Sequence, residues 1–297
     1  MELVSLIIFG VLFYIFYTRF WKKDRLKFAK KQRWQSGNSV ARLYSASHVN
    51  AIVDRFQSLD DVSDAVKRAG LEECSLIFGV DFTASNERQG LQTFGGRCLH
   101  YVDQLQQNPY QYVICCLGET LEPLDSDGMI PAFGFGDATT KDFSVFPFKN
   151  EGFCHGFQEV LHIYNYVAQR VRMSGPTNFA PLINRAIEIV KMTKSYHILV
   201  IVADGQVTRE RDTQTAIVEA SKWPLSIIVI GVGDGPWDTM AEFDDGLPER
   251  KFDNFQFVDF NKVTRNARNP EASFALHALM EIPDQYKQIH KLGLLSF

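Results

Sequence analysis

Three runs of almost uninterrupted apolar residues stand out along the chain, within SLIFGVD at 75–81, YHILVIVADG at 196–205 and PLSIIVIGVGDG at 224–235. Each has the length of a strand and lacks polar alternation, the pattern of a strand covered on both faces in a parallel sheet. Between and around them the spacing becomes helical in QYVICCLGETLEPLD, GFQEVLHIYNYVAQRV, FAPLINRAIEIVKMT and TQTAIVEASKW, where apolar residues recur every three or four positions. MIPAFGFGD reads as a further strand ending at Asp137, and FDNFQFVDF alternates enough to be an edge strand. SLDDVSDAVKRAG predicts a helix with Ser58 as N-cap, Asp61 in the first turn and Gly70 as the stop. ASFALHALMEIPDQYKQIHKLGLL predicts one closing helix. Buried strands alternating with helices imply an α/β fold with a mainly parallel sheet covered on both sides.

The first residues follow another pattern. Positions 3–17 carry no charge, and Tyr14, Tyr17, Phe20 and Trp21 lie where aromatic rings meet a membrane interface. Eight basic residues and one acid follow between 19 and 33. This predicts a transmembrane signal-anchor helix over 1–21, with membrane contact through 3–21 and anionic lipid near 19–33. The protein is then single-pass, its short N-terminus outside and everything after Arg33 in the cytosol. A cleaved signal peptide fits less well, because no basic segment precedes the apolar run. Residues 22–51 read as a basic juxtamembrane segment and polar linker, and 52–297 as the folded domain.

Composition narrows the function. The net charge of −4 hides the basic stretch, so the rest of the chain is acidic and offers no nucleic-acid-binding face. Five cysteines occur with no CxxC pair, and no Asn-x-Ser/Thr acceptor is present. Free, mostly structural thiols are expected.

The candidate chemistry lies where the apolar runs stop. In LIFGVDFTASN the strand ends on Asp81, and Thr83 and Ser85 follow at alternate positions. A carboxylate at that depth is costly unless something pairs with it. Asp204 ends a second strand, and Thr177 in GPTNFAP precedes the helix leading into it. Ligands of open α/β sheets bind outside the carboxyl ends of the strands. Asp81, Thr83, Ser85, Thr177 and Asp204 then form an all-oxygen set suited to Mg²⁺, with Mn²⁺ or Ca²⁺ as alternatives. Each also has a plainer role: Thr83 and Ser85 as helix caps, Thr177 as a cap after Pro176, Asp204 as a turn residue. Asp137, Asp234, Asp244 and Asp245 read as solvated loop acids rather than a second metal site.

Asp-x-Thr-x-Ser, a distant Thr and a later Asp resemble the metal-ion-dependent adhesion site of von Willebrand factor A domains. GVDFTASN, MIPAFGFGDATT, FQEVLHIYNYV, GPTNFAP, VIVADGQVT and LSIIVIGVGDGPWDTMAEFDD are similar to the copine branch of that family and to plant RING-type ubiquitin ligases with a copine-like A domain. The resemblance implies a Rossmann-like, doubly wound sheet with one antiparallel edge strand. It implies a metal held by Ser85, Thr83 and Thr177, with Asp81 and Asp204 partly through water, and one position left for an acidic side chain of a protein partner. Thr83 stands where the wider family more often has serine. The chain departs from copines in having only residues 1–51 ahead of the domain, and from the ligases in having no cysteine after Cys154 for a RING. Glu2 replaces the glycine that myristoylation needs. The expected function is a membrane-anchored cytosolic domain that recruits a protein through a divalent cation, with no catalytic residues. An enzyme, for instance with Ser85 as nucleophile and His100 or His155 as base, a component of a ubiquitin ligase system, or a metal-free scaffold are the alternatives.

Overall fold

A computed structural model describes residues 38–46, 52–205 and 207–295. The elements run in order from α1 (Ser39–Leu43) and a 3-10 turn at Val53–Arg55 to α2 (Leu59–Arg68), β1 (Ser75–Asp81) and a second 3-10 turn at Ala84–Glu87. Then come α3 (Pro109–Leu121), β2 (Met129–Ile130), β3 (Ala132–Phe135), β4 (Phe146–Pro147), β5 (Cys154–His155) and α4 (Gly156–Ala168). The remainder is α5 (Ala180–Thr193), β6 (His197–Ala203), α6 (Glu210–Ala220), β7 (Leu225–Gly231), α7 (Asp238–Gly246), β8 (Phe255–Asp259), α8 (Phe260–Thr264), α9 (Pro270–Leu279) and α10 (Ile282–Lys291).

The main sheet has the order β4-β3-β1-β6-β7-β8. All pairs are parallel except β3 with β4. The antiparallel edge expected from the resemblance is therefore Phe146–Pro147, while FDNFQFVDF supplies the opposite, parallel edge. Period-two geometry divides the strand residues between two cores. Leu76, Phe78, Val80, Val200 and Ile228 face one, with Val66 of α2, Leu117 of α3 and Leu276 of α9. Ile77, Leu199, Ile201, Ile227 and Val229 face the other, with Leu182 of α5, Ile217 of α6 and Phe243 of α7. This is why β1, β6 and β7 carry no polar alternation. Every residue in them is buried.

Register sets the site. Val80 lies opposite Val202, so Asp81 and Asp204 leave adjacent strands within about one residue of the same level. The helix over 58–70 begins as read: Ser58 Oγ accepts from the Asp61 amide at 3.2 Å and Asp61 Oδ2 accepts from the Ser58 amide at 3.1 Å.

Three expectations are corrected. The closing segment is two helices, α9 and α10, with Pro283 in the first turn of the second, where a missing N–H costs least. The linker contains α1, whose Val40 is fully buried. Asn38 Nδ2 donates to the Met280 carbonyl at 2.9 Å, and the Ser39 amide donates to Asp284 Oδ2 at 2.8 Å. The third correction concerns the membrane. Among the described residues no helix is long and apolar enough to cross one. The longest, α5, has 14 residues and packs only one face into the core, whereas a span needs about 20 apolar residues. The single-pass architecture and cytosolic placement built on such a helix are withdrawn; positions 3–21 and 19–33 lie outside the described residues.

Candidate metal centre

Asp81 is the last residue of β1 and is fully buried, as is Asp204 just beyond β6. The turn after β1 folds back onto its own strand end. Asp81 Oδ1 accepts from the Thr83 amide at 2.8 Å, an Asx-type closure that lifts the next residues over the carboxylate. Thr83 Oγ1 lies 2.9 Å from Ser85 Oγ, and Ser85 Oγ donates to Asp204 Oδ1 at 3.0 Å. Thr83 Oγ1 is 3.5 Å from the same oxygen. Four of the five sequence candidates are thus one connected cluster. Only Ser85 among the five is exposed, so it marks the side from which a ligand would approach.

The helix-cap reading fails at Thr83. It occupies the N-cap of the Ala84–Glu87 turn without a side-chain capping bond. Its methyl group has a defined place. A Cβ on Gly136 would sit 2.5 Å from Thr83 Cγ2 and 3.3 Å from Asp81 Oδ1, and Gly136 has φ +78°. Glycine there satisfies both the backbone and the extra methyl that distinguishes Thr83 from serine.

Electrostatics point one way. Asp81 Oδ2 and Asp204 Oδ2 are buried and accept no hydrogen bond. Among the described residues no Lys or Arg forms an ion pair with either. Burial, then the charge of Asp204, pushes the Asp81 carboxyl well above the usual range. Burial raises Asp204 to about 6 despite hydrogen bonds from the Ser85 hydroxyl, from the Asp81 carboxyl when that is protonated, and from Thr83. Two adjacent buried carboxyls without a counter-charge are expensive. The described residues hold no cluster of three or more His, Cys, Asp or Glu able to bind a metal. A cation here would have to rely on hydroxyl oxygens beside the two carboxylates, a donor set that suits hard ions.

Thr177 is less directly joined. Its loop starts at Ser174, which is bridged to Thr83, and its carbonyl accepts from Thr208 N at 3.0 Å and Thr208 Oγ1 at 2.9 Å. Thr177 is buried, and among the described residues no hydrogen bond ties its hydroxyl to the other four. It does not cap α5 either, since Asn178 Oδ1 takes the Ala180 amide instead.

Other readings change. Asp137 and Asp234 are anchors rather than solvated loop acids. Asp137 accepts from the Thr139 and Thr140 amides at 3.0 Å each, and also from the Thr140 hydroxyl. Asp234 accepts from the Gln92 and Thr93 amides at 2.9 and 3.0 Å and from Thr93 Oγ1 at 2.6 Å. Asp244 Oδ1 accepts from the Phe257 amide at 3.3 Å.

A layer behind the site had no signature in the sequence. His100 Nε2 donates to the Asp81 carbonyl at 2.8 Å, and Asn86 Nδ2 donates to the Asp81 and Thr83 carbonyls at 3.2 and 3.0 Å. Tyr110 donates to Asn86 Oδ1 at 2.7 Å, and Tyr164 OH lies 2.9 Å from His100 Nδ1. His100 is sandwiched between Phe82 and Tyr110, with ring centroids 4.5 and 4.1 Å away. Burial lowers its pKa to about 3, so the imidazole is neutral, with Nε2 the protonated nitrogen. Held this way, His100 buttresses the Asp81 backbone and is not paired with Ser85. The exposed His155 lies at the start of α4. Neither histidine forms a nucleophile–base pair with Ser85.

A doubly wound parallel sheet with Asp-x-Thr-x-Ser leaving one central strand and an Asp leaving its neighbour defines the class: a von Willebrand factor A-type domain. The copine family model matches residues 98–296, and the chain belongs to the copine family. It is 58% identical over 248 residues to Copine family protein 2 of Caenorhabditis elegans, covering 82% of this chain and 3% of that protein. It is 49% identical over 279 residues to E3 ubiquitin-protein ligase RGLG5 of Arabidopsis thaliana, covering 88% of this chain and 63% of that one. The chain thus spans less than two thirds of the length of either relative. Among solved structures, manganese-loaded Plasmodium vivax TRAP protein is similar with a TM-score of 0.46 and 13% identity, covering 71% of this chain and 74% of that one.

Proposed function

We propose that the domain binds one divalent cation through Asp81, Thr83, Ser85 and Asp204, with Thr177 as the fifth donor, and that the cation recruits a protein by accepting one of its acidic side chains. The observation that supports this reading is the pair of buried carboxylate oxygens, Asp81 Oδ2 and Asp204 Oδ2, which have no hydrogen-bond donor when both acids are ionised and otherwise only each other's proton. A cation supplies the charge that neither hydroxyls nor neighbouring side chains provide. Mg²⁺ is the first choice, because a small set of hydroxyl and carboxylate oxygens leaves room for the waters it retains. Mn²⁺ and Ca²⁺ are the alternatives. Shared between only two carboxylates and several neutral oxygens, the ion keeps residual positive charge, and a partner's Asp or Glu completes its shell.

The chain's own residues fix the donors. The Thr83 amide holds one Asp81 oxygen, leaving the other free, and His100 and Asn86 brace the carbonyl behind it. Calorimetric titration with Mg²⁺ and Mn²⁺ tests the reading. One site is expected in the native chain and none in Asp81→Ala. Capture of a protein partner is expected to be lost with chelator and in the same variant. Partner capture indifferent to both would leave the domain a metal-free scaffold.

A further inference from the structure

Exposed apolar side chains crowd the same end of the molecule as the candidate ligands. Leu91, on the loop that leaves β1, is 68% exposed, and Phe143, on the loop that leaves β3, is 76% exposed. Pro176, directly before Thr177, is exposed as well. Single exposed apolar residues need no explanation, but exposed ones on loops that leave the same end of the sheet as the polar cluster are candidates for an interaction face.

Both flanks are fastened to the cluster. On one side, Asn178 Nδ2 donates to the Asp142 carbonyl at 3.0 Å, next to Phe143 and next to Thr177. Arg209 Nε and Nη2 both reach Asp142 Oδ2, at 3.1 and 3.0 Å, and Thr208 holds the Thr177 carbonyl. On the other side, a Cβ on Gly233 would lie 2.5 Å from the Asp204 carbonyl and 3.0 Å from Gln89 Cβ. Asp234, the next residue, clamps the amides of Gln92 and Thr93, so Leu91 is fixed between two anchored positions.

We propose that Phe143 and Leu91 are specificity-determining residues: the site selects an acidic side chain flanked, in an extended segment of its protein partner, by a bulky apolar residue. The inference rests on the cation reading above and goes beyond it by naming what surrounds the carboxylate. Beside Phe143, Asp142 is already paired with Arg209, so that cation is not free to attract a second acid. Covering a phenylalanine ring that otherwise stands in water supplies the preference.

The test uses the full chain and two capped hexapeptides with a single Asp, flanked by glycines in one and by leucines in the other, titrated in saturating Mg²⁺. The leucine-flanked peptide is expected to bind about tenfold tighter, the order set by burying one large apolar side chain. Phe143→Ser should erase most of that advantage while leaving Mg²⁺ titration and the glycine-flanked peptide unchanged. Circular dichroism establishes that the variant, altered at a solvent-facing side chain, is folded. Equal affinity of the native chain for both peptides overturns the proposal, as does an advantage that survives Phe143→Ser combined with Leu91→Ser. A chain that binds Mg²⁺ but neither peptide overturns this inference alone. A chain that binds no divalent cation removes both readings.

Discussion

Four aspartates leave the carboxyl ends of four strands of one sheet, yet they form two chemically different pairs. Asp137, after β3, and Asp234, after β7, are each gripped by two backbone N–H groups and a threonine hydroxyl. For both, burial works against the charge, but the threonine hydroxyl and amide donors outweigh it and hold the carboxyl below its ordinary range. Asp81, after β1, has one amide donor on one oxygen, and Asp204, after β6, is served by side-chain hydroxyls. Each keeps a buried oxygen with no donor, and both carboxyls are pushed up. The contrast lies in the kind of donor. An N–H can only donate, so it uses up the carboxylate. A hydroxyl can also turn its lone pairs toward a cation. On the reading proposed above, acids closed by amides are structural, whereas acids accompanied by hydroxyls remain available as ligands.

The largest effect expected from breaking this contrast comes from Asp204→Asn. Removing one of the two anionic ligands proposed above should weaken Mn²⁺ or Mg²⁺ binding by more than about 100-fold, since changes even in outer-shell partners cost 10–100-fold. The metal-free protein should at the same time become more stable near neutral pH, because a buried carboxyl that resists ionisation is replaced by a neutral amide. Loss of affinity and gain of stability in one variant, read by titration and by urea denaturation, is a signature that a purely structural acid cannot give. A metal-free protein destabilised by Asp204→Asn would place Asp204 with the anchors.

The second effect is a pH slope of unusual sign. Asp204 has a folded pKa of about 6, against an unfolded value of about 3.9. The folded state therefore holds more protons between about pH 4 and pH 6, and the linkage relation makes stability fall as pH rises through that window. The loss is on the order of 3 kcal/mol for Asp204, and Asp81, also raised, adds to it in the same direction. Above both folded values the curve flattens. Asp137 and Asp234 have the opposite sign, but their contribution disappears only as pH falls below the ordinary carboxylate range. Urea midpoints of the metal-free protein at pH 4.5 and pH 7 check this, and saturating Mg²⁺ should abolish the decline by competing with the protons. A metal-free protein more stable at pH 7 than at pH 4.5 would falsify the assignment of two uncompensated carboxyls.

The sheet and the clustering of Asp81, Thr83 and Ser85 were legible from sequence for a common reason. Strands covered on both faces must be apolar at every position, so β1, β6 and β7 announce themselves. Local geometry also makes Asp-x-Thr-x-Ser informative, because the Asp81 carboxylate closes on the Thr83 amide two residues later. What escaped depends on distant partners. Nothing around His100 reveals that its ring stacks on Tyr110 and braces the Asp81 carbonyl. Asp137 and Asp234 passed for solvated loop acids because amide donors carry no residue signature. In α1, Asn38 and Ser39 resemble linker residues until Met280 and Asp284 come within reach. The break between α9 and α10 had a local signal in Pro283, outweighed by continuous helical spacing on either side.

The smallest effect, and the one that sharpens the contrast most, is expected at Asp234. Asp234→Asn keeps the shape but replaces one carboxylate oxygen by an NH₂ group. That group cannot accept from the Gln92 or Thr93 amide, and one of those donors is left without its charged partner. The cost should be about 1–3 kcal/mol of folding stability, the reverse of the gain expected for Asp204→Asn. Cation affinity should stay within about twofold of the native value, a change of less than about 0.5 kcal/mol, because Asp234 offers nothing to the ion. Hydrogen exchange should localise the loosening to the Gln92 and Thr93 amides. Fast exchange there with an unchanged Mn²⁺ titration would establish that the two acids, though both at strand exits, do different jobs. A matched drop in cation affinity would make Asp234 part of the site and dissolve the distinction between amide-closed and hydroxyl-served aspartates.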